Sequence, residues 1–126
     1  MYLKKDLSDI IVLSDTSLKD SLITLNNGGI QALLVVNKEN IFEGIVTDGD
    51  IRRHLLKDGD LKASIATIIK KSSSTTSTSE DEKDLKSIFS RKKINHIPIL
   101  DEKNYIISLA LRADFNDENL KYINSS

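Results

Sequence analysis

Thr47 and Asp50, three residues apart, are the side chains of this sequence best equipped to hold a small charged ligand. They stand in Gly44-Ile45-Val46-Thr47-Asp48-Gly49-Asp50-Ile51-Arg52-Arg53, where an apolar run ends in a hydroxyl and a glycine-hinged acidic turn. A strand that runs into a helix presents unpaired backbone N–H groups and the positive end of the helix dipole, which together attract an anion. Thr47, as the last strand residue, adds a hydroxyl donor toward a phosphate. Asp50, in the first helical turn, accepts from two donors at once and so suits the vicinal hydroxyls of a ribose. Gly49 allows the ligand to approach the backbone without a side-chain collision. Arg52, Arg53 and His54 follow closely enough to offset the acidic turn. The same residues fit a plainer description: Thr-x-x-Asp is close to the capping box, and an acidic first turn stabilises any helix.

Other chemistries find less support. Asp48 and Asp50 could be imagined on a magnesium ion, although carboxylates at a helix start are ordinary dipole partners. His54 and His96 lie in different elements without Cys or further His, which disfavours zinc. No metal is expected. Serines and threonines are plentiful, yet no nucleophile–base arrangement or nucleophile elbow stands out, so no catalytic residue is assigned.

The junction needs a strand before it and a helix after it, and the periodicity supplies both. Ile10 to Leu13 is a short apolar segment. Ser14-Asp15-Thr16-Ser17 offers helix caps, with Ser17 and Asp20 at capping-box spacing, and Leu18, Leu22 and Leu25 recur at helical intervals. Asn26-Asn27-Gly28-Gly29 stops that helix. Ile30 to Val36 is apolar on both faces apart from Gln31, as in a strand covered on both sides. Asn37 to Asn40 turns the chain, Ile41 to Thr47 makes the next strand, and Asp48 to about Lys57 the next helix. The order is strand, helix, strand, strand, helix.

The order recurs. Ile30 to Asn40 falls without gaps on Ile94 to Asn104, 64 positions later, and at that offset Gly44 meets Ser108 and Asp50 meets Asp114. Between the copies, Leu61, Ile65, Ile68 and Ile69 are spaced for one helical face within Leu61 to Lys71, followed by the low-complexity tract Ser72 to Ser79. The end of that tract is expected to pair as a short first strand and to cap a helix carrying Leu85, Ile88 and Phe89. Ile94 to Leu100 and Tyr105 to Leu111 are the repeated strands. Pro98 lacks a ladder donor and predicts an edge position or a loosely paired strand start. The resulting division is a first repeat at 9–60, a linker or helix at 61–73, a second repeat at 74–115 and a tail at 116–126.

Composition sets the class. In 126 residues there is room for one compact domain or two half-size units sharing a core. The net charge of −1 gives no broad attraction to nucleic acid or to an anionic membrane, and 5% aromatics leave little for base stacking. Without cysteine there are no disulfides or thiolate sites. No apolar run approaches the roughly 20 residues that span a bilayer, and the N-terminus does not resemble a signal peptide, so a cytoplasmic location is expected.

The pattern Gly-h-h-Thr-x-x-Asp (h, apolar) after an upstream h-x-x-h-h-Val-Val strand, repeated in tandem, resembles a pair of CBS (cystathionine-β-synthase) domains, or Bateman module. The resemblance runs from about Asp9 to Phe115. It implies an α/β (α+β) fold of two pseudo-symmetric β-α-β-β-α repeats packed into one module, with clefts that take adenosine-containing ligands. It assigns Thr47 to the phosphate and Asp50 to the ribose, with Asp48, Gly49 and Arg52 beside them. Ile30, Ala32 and Leu33 would supply backbone contacts and an apolar wall for adenine. The second copy, Ser108 to Asp114, keeps the aspartate but has Leu111 in place of the hydroxyl, which costs a phosphate there about 1–2 kcal/mol. Arg112 offers compensating charge, and Ile97 lines this doubtful second site. His96 either borders it or satisfies a backbone group in the sheet.

The wording Thr47 to Arg53 is similar to CBS pairs attached to sugar-phosphate nucleotidyltransferases and to arabinose-5-phosphate isomerases. The resemblance therefore implies a non-catalytic, homodimeric module with an adenine nucleotide as regulatory ligand and no cofactor, fused or docked to a sugar-phosphate enzyme. The first group places its module at the N-terminus, matching the start of this chain. A ligand-free dimerisation module, using Ile51, Leu55 and Leu56, is the alternative.

Overall fold

A computed structural model describes residues 3–69 and 74–115, so the expectations for Lys70 to Ser73 and for the tail at 116–126 fall outside the described residues. The chain forms two compact units. Among the described residues, one holds 8–69 with Ser74, and the other joins 3–7 to 75–115.

The first unit follows the expected order. β2 (Ile11–Leu13) leads into α1 (Leu18–Gly28), then β3 (Ala32–Val36), β4 (Phe42–Thr47) and α2 (Asp48–Lys57). Ser17 caps α1 by accepting from the Asp20 backbone N–H, and Gly29 ends it in the left-handed region at φ 76°, where a side chain would be strained. β3 is the central strand, parallel to β2 and antiparallel to β4. All five of its residues are buried, as the unbroken apolar run requires. Leu18, Leu25, Leu33, Val35, Val46, Ile51 and Ile65 form the core of the unit.

The segment after α2 corrects an expectation. In place of a helix across Leu61 to Lys71, the described part contains a single 3-10 turn, Ile65–Ile68, capped by Ser64. This segment is also part of the first unit. Ile65 is wholly buried in its core, Ile68 and Ile69 pack against it, and the Ala63 and Leu61 carbonyls accept from Leu18 and Lys19. The i, i+4 apolar spacing that suggests a helix here comes from chain pinned at several points to α1 and the β2 loop.

The second unit has β1 (Leu3–Lys4), α3 (Glu82–Arg91), β5 (His96–Leu100), β6 (Ile106–Leu111) and a 3-10 turn at Arg112–Asp114. Its sheet runs β1-β6-β5. Ser77 bridges β5 in parallel, donating to the Pro98 carbonyl and accepting from the Leu100 N–H. That pattern asks nothing of the Pro98 nitrogen, so its missing donor costs no bond of this bridge although β5 has a partner on each side. Asp81 caps α3 through the Lys83 and Asp84 N–H groups.

The gap-free repeat holds at the level of single hydrogen bonds. Ala32 pairs with Thr47 and His96 with Leu111; the bulges at Val35/Val36 and Ile99/Leu100 are also 64 positions apart. Asn40 and Asn104 both turn at positive φ, and Asn37 and Asp101 both accept from the N–H groups two and four residues on. Gln31 O accepts from Asp48 N, and Asn95 O from Arg112 N.

Candidate functional site

α2 begins as the capping-box spacing dictates. Thr47 Oγ1 accepts from Asp50 N at 3.2 Å, and Asp50 Oδ2 accepts from Thr47 N at 2.9 Å. The pair thus satisfies two backbone donors reciprocally. The Thr47 hydroxyl, acting as acceptor there, keeps its own proton to give. The other carboxylate oxygen, Asp50 Oδ1, receives Arg53 Nη2 at 2.7 Å, in an ion pair whose side chains are 37% and 60% exposed. Asp48 pairs with Arg52 one turn on.

Two open clefts flank this junction. One, of about 240 Å³, is lined by Asp50, Arg53, His54, Lys57, Thr67, Ile68 and Ile69. Its α2 side presents positions 50, 53, 54 and 57, one face of a helix, against the 3-10 turn and the residue after it. A single carboxylate, Asp50, shares this lining with Arg53 and Lys57. His54 Nε2 is buried without a hydrogen-bond partner. The second cleft, of about 350 Å³, is lined by Leu22, Leu25, Asn26, Gly29, Gln31 and Asp48. The first falls somewhat below, and the second just inside, the roughly 300–1,000 Å³ usual for small-molecule sites.

The nominated residues therefore divide. Asp50 lines the first cleft and Asp48 the second. Thr47, Gly49 and Arg52 share the helix start. Gly49 has no positive φ; a Cβ there would come 3.2 Å from Arg53 Nη1, so its smallness admits that side chain across the first turn. Ala32 and Leu33 are buried and Ile30 half-buried, and Leu33 belongs to the core, so its side chain is not an open wall for a base.

The second unit requires a larger correction. Arg112 is 2% exposed, and its guanidinium donates to Phe89 O at 2.7 Å, Lys92 O at 2.6 Å and Ile94 O at 2.8 Å. It also lies 5.1 Å from the centre of the Phe89 ring. Burial pushes its pKa down, but a guanidinium stays protonated in proteins. Arg112 binds the end of α3 and is not a spare charge for a ligand. Ile97 is wholly buried in that unit's core. His96 and Asp114 are half-buried. Because Leu111 has no oxygen to cap Asp114, the turn begins without the box found at Thr47.

Arg53, His54 and Lys57 become cleft residues through helical spacing from Asp50, a signal present in the sequence. Thr67, Ile68 and Ile69 had no such signal. Among the described residues, no cluster of three or more His, Cys, Asp or Glu could hold a metal, and no helix is long and apolar enough to cross a membrane.

The family profile described as CBS domain matches residues 5–57. The match takes in the first repeat of the chain. The fold agrees across both repeats. The CBS domain pair of protein MJ0100, in complex with 5′-methylthioadenosine and S-adenosyl-L-methionine, superimposes with a TM-score of 0.73 at 22% identity, covering 89% of this chain and 90% of that one. CBSX2 in complex with AMP gives 0.72 at 18% identity, covering 89% and 87%. In sequence, this chain is 26% identical over 104 residues to the arabinose 5-phosphate isomerase GutQ of Salmonella typhi. That match takes in 82% of this chain but 32% of the isomerase, so the chain spans about a third of that relative's length.

Proposed function

We propose that this chain is a regulatory module of the CBS type that binds an adenine nucleotide in its first unit and passes occupancy to an enzyme acting on sugar phosphates. The observation that carries the proposal is Asp50, a carboxylate at a strand–helix junction that faces a cleft shared with Arg53, His54 and Lys57. Structures of the same fold hold AMP, 5′-methylthioadenosine and S-adenosyl-L-methionine, which supports an adenosine compound as the ligand. In this reading the chain contributes no catalytic group. Bound nucleotide favours one arrangement of the module by its differential affinity for the two states, and that sets the limit of the regulatory effect.

Kinship with the GutQ isomerases favours a sugar-phosphate isomerase as the regulated enzyme. The nucleotidyltransferase association suggested by Thr47 to Arg53 is the alternative, and no relative reported above supports it. A homodimer in the cytoplasm is part of the proposal. In the second unit, Asp114 and His96 remain candidates, whereas Arg112 and Ile97 are withdrawn. One observation favours a ligand-free structural module instead: Thr47 and Asp50 already satisfy each other's backbone N–H groups.

Thermal melts with AMP, ADP, ATP, S-adenosylmethionine and GTP separate these readings. A ligand at 100 times its Kd adds about 2.7 kcal/mol, a visible rise in Tm. Asp50→Ala is expected to lower the starting Tm by loss of half the capping box and to abolish the ligand-induced rise. No rise with any nucleotide supports the structural module. A rise undiminished in Asp50→Ala moves the site away from this cleft.

A further inference from the structure

We infer that Arg53 sets the ligand's charge class: it holds Asp50 while the cleft is empty and turns to an anionic group when a ribose takes its place. The inference rests on the nucleotide-binding proposal above and names what that site selects.

The argument begins with the lone pairs of one carboxylate. Oδ2 of Asp50 is engaged by the Thr47 backbone, and Oδ1 by Arg53 Nη2 at 2.7 Å. A ribose that bonds this carboxylate through two hydroxyls competes with the guanidinium for Oδ1. The Thr47 bond can stay, since it belongs to the helix start, but the arginine has somewhere to go. Its side chain is 60% exposed and belongs to the cleft lining. An exposed ion pair is easily exchanged.

Release of Arg53 has opposite consequences for different ligands. Freed from Asp50, the guanidinium adds an uncompensated positive charge to a cleft that already holds Lys57. A 5′-phosphate can receive it as a fork of charge-assisted hydrogen bonds. An uncharged nucleoside leaves it without a partner. The cleft is therefore expected to prefer AMP to adenosine, with Arg53 responsible for most of the preference.

Calorimetric titration of the full chain with AMP and with adenosine tests this, using wild type, Arg53→Ala and Arg53→Gln. In wild type AMP should bind more tightly than adenosine by tenfold or more. Either substitution should weaken AMP about tenfold and leave adenosine unchanged or up to about threefold tighter, so the ratio collapses. Equal AMP-to-adenosine ratios in wild type and both variants overturn the inference and leave the nucleotide site standing. If neither compound binds wild type, the site itself fails and the inference with it. Because Arg53 is exposed, circular dichroism melts within a few degrees of wild type establish that the variants are folded.

Discussion

Replacing Arg112 by methionine should unfold the second unit more readily without touching nucleotide binding. The side chain is 2% exposed and ends in three hydrogen bonds, to Phe89 O, Lys92 O and Ile94 O. Phe89 is 1% exposed, so its carbonyl has no ready route to water, whereas Lys92 is exposed and Ile94 half-buried. Methionine fills much of the volume and keeps the contact with the Phe89 ring but donates nothing. Stranding one buried carbonyl costs about 1–3 kcal/mol, and losing two more charge-assisted bonds to partly wet carbonyls costs about another 1–2, giving a total of about 2–5 kcal/mol. For a chain of this size that corresponds to a fall in Tm of about 6–20 °C. Arg112→Lys keeps the charge but cannot span three carbonyls, and should lose about half as much. Urea denaturation followed by far-UV circular dichroism measures the difference directly. Stability within 1 kcal/mol of wild type would refute the reasoning, as would a loss of nucleotide affinity at unchanged stability, which would return Arg112 to a ligand.

The remaining predictions are smaller and local. Asp50→Ala should abolish the ligand-induced Tm rise, and Arg53→Ala should erase the discrimination between AMP and adenosine, as described above. Gly44→Ala should destabilise the first unit by about 1–3 kcal/mol in denaturant titration, because the added Cβ would stand 2.5 Å from Ile69 Cγ2. Asp81→Ala should cost about 1 kcal/mol by removing the acceptor for the Lys83 and Asp84 N–H groups, while Asp81→Asn should stay within a few tenths of wild type.

Much of the scaffold can be read from the residues because local chemistry and global pattern agree. Ser17, Gly29, the turn after Asn37 and the apolar run of β3 each carry their own instruction, and the repeat makes most of them twice. Thr47 and Asp50 are legible as a pair, but the sequence leaves open whether they serve the helix or a ligand. The structure shows that they serve the helix, with Asp50 also at a cleft. Arg112 misleads because its neighbours in sequence are those of the degraded motif, while its bonding partners lie 18 to 23 residues earlier. Leu61 to Ile69 misleads because helical spacing can arise in any segment that touches a core at intervals. Leu3–Lys4 gives no signal at all: two residues have no periodicity, and their strand exists through pairing with Ala110 and Leu109.

That last pairing means the duplication in the sequence and the packing in space are out of step by one strand. The residues ahead of Ser8 complete the sheet made by the far end of the chain. A cut near residue 60 would take from one piece the border strand of the other. If this chain is joined to anything ahead of Leu3, a pull at that joint is transmitted straight to β6 and the turn carrying Asp114, bypassing the half that holds Asp50.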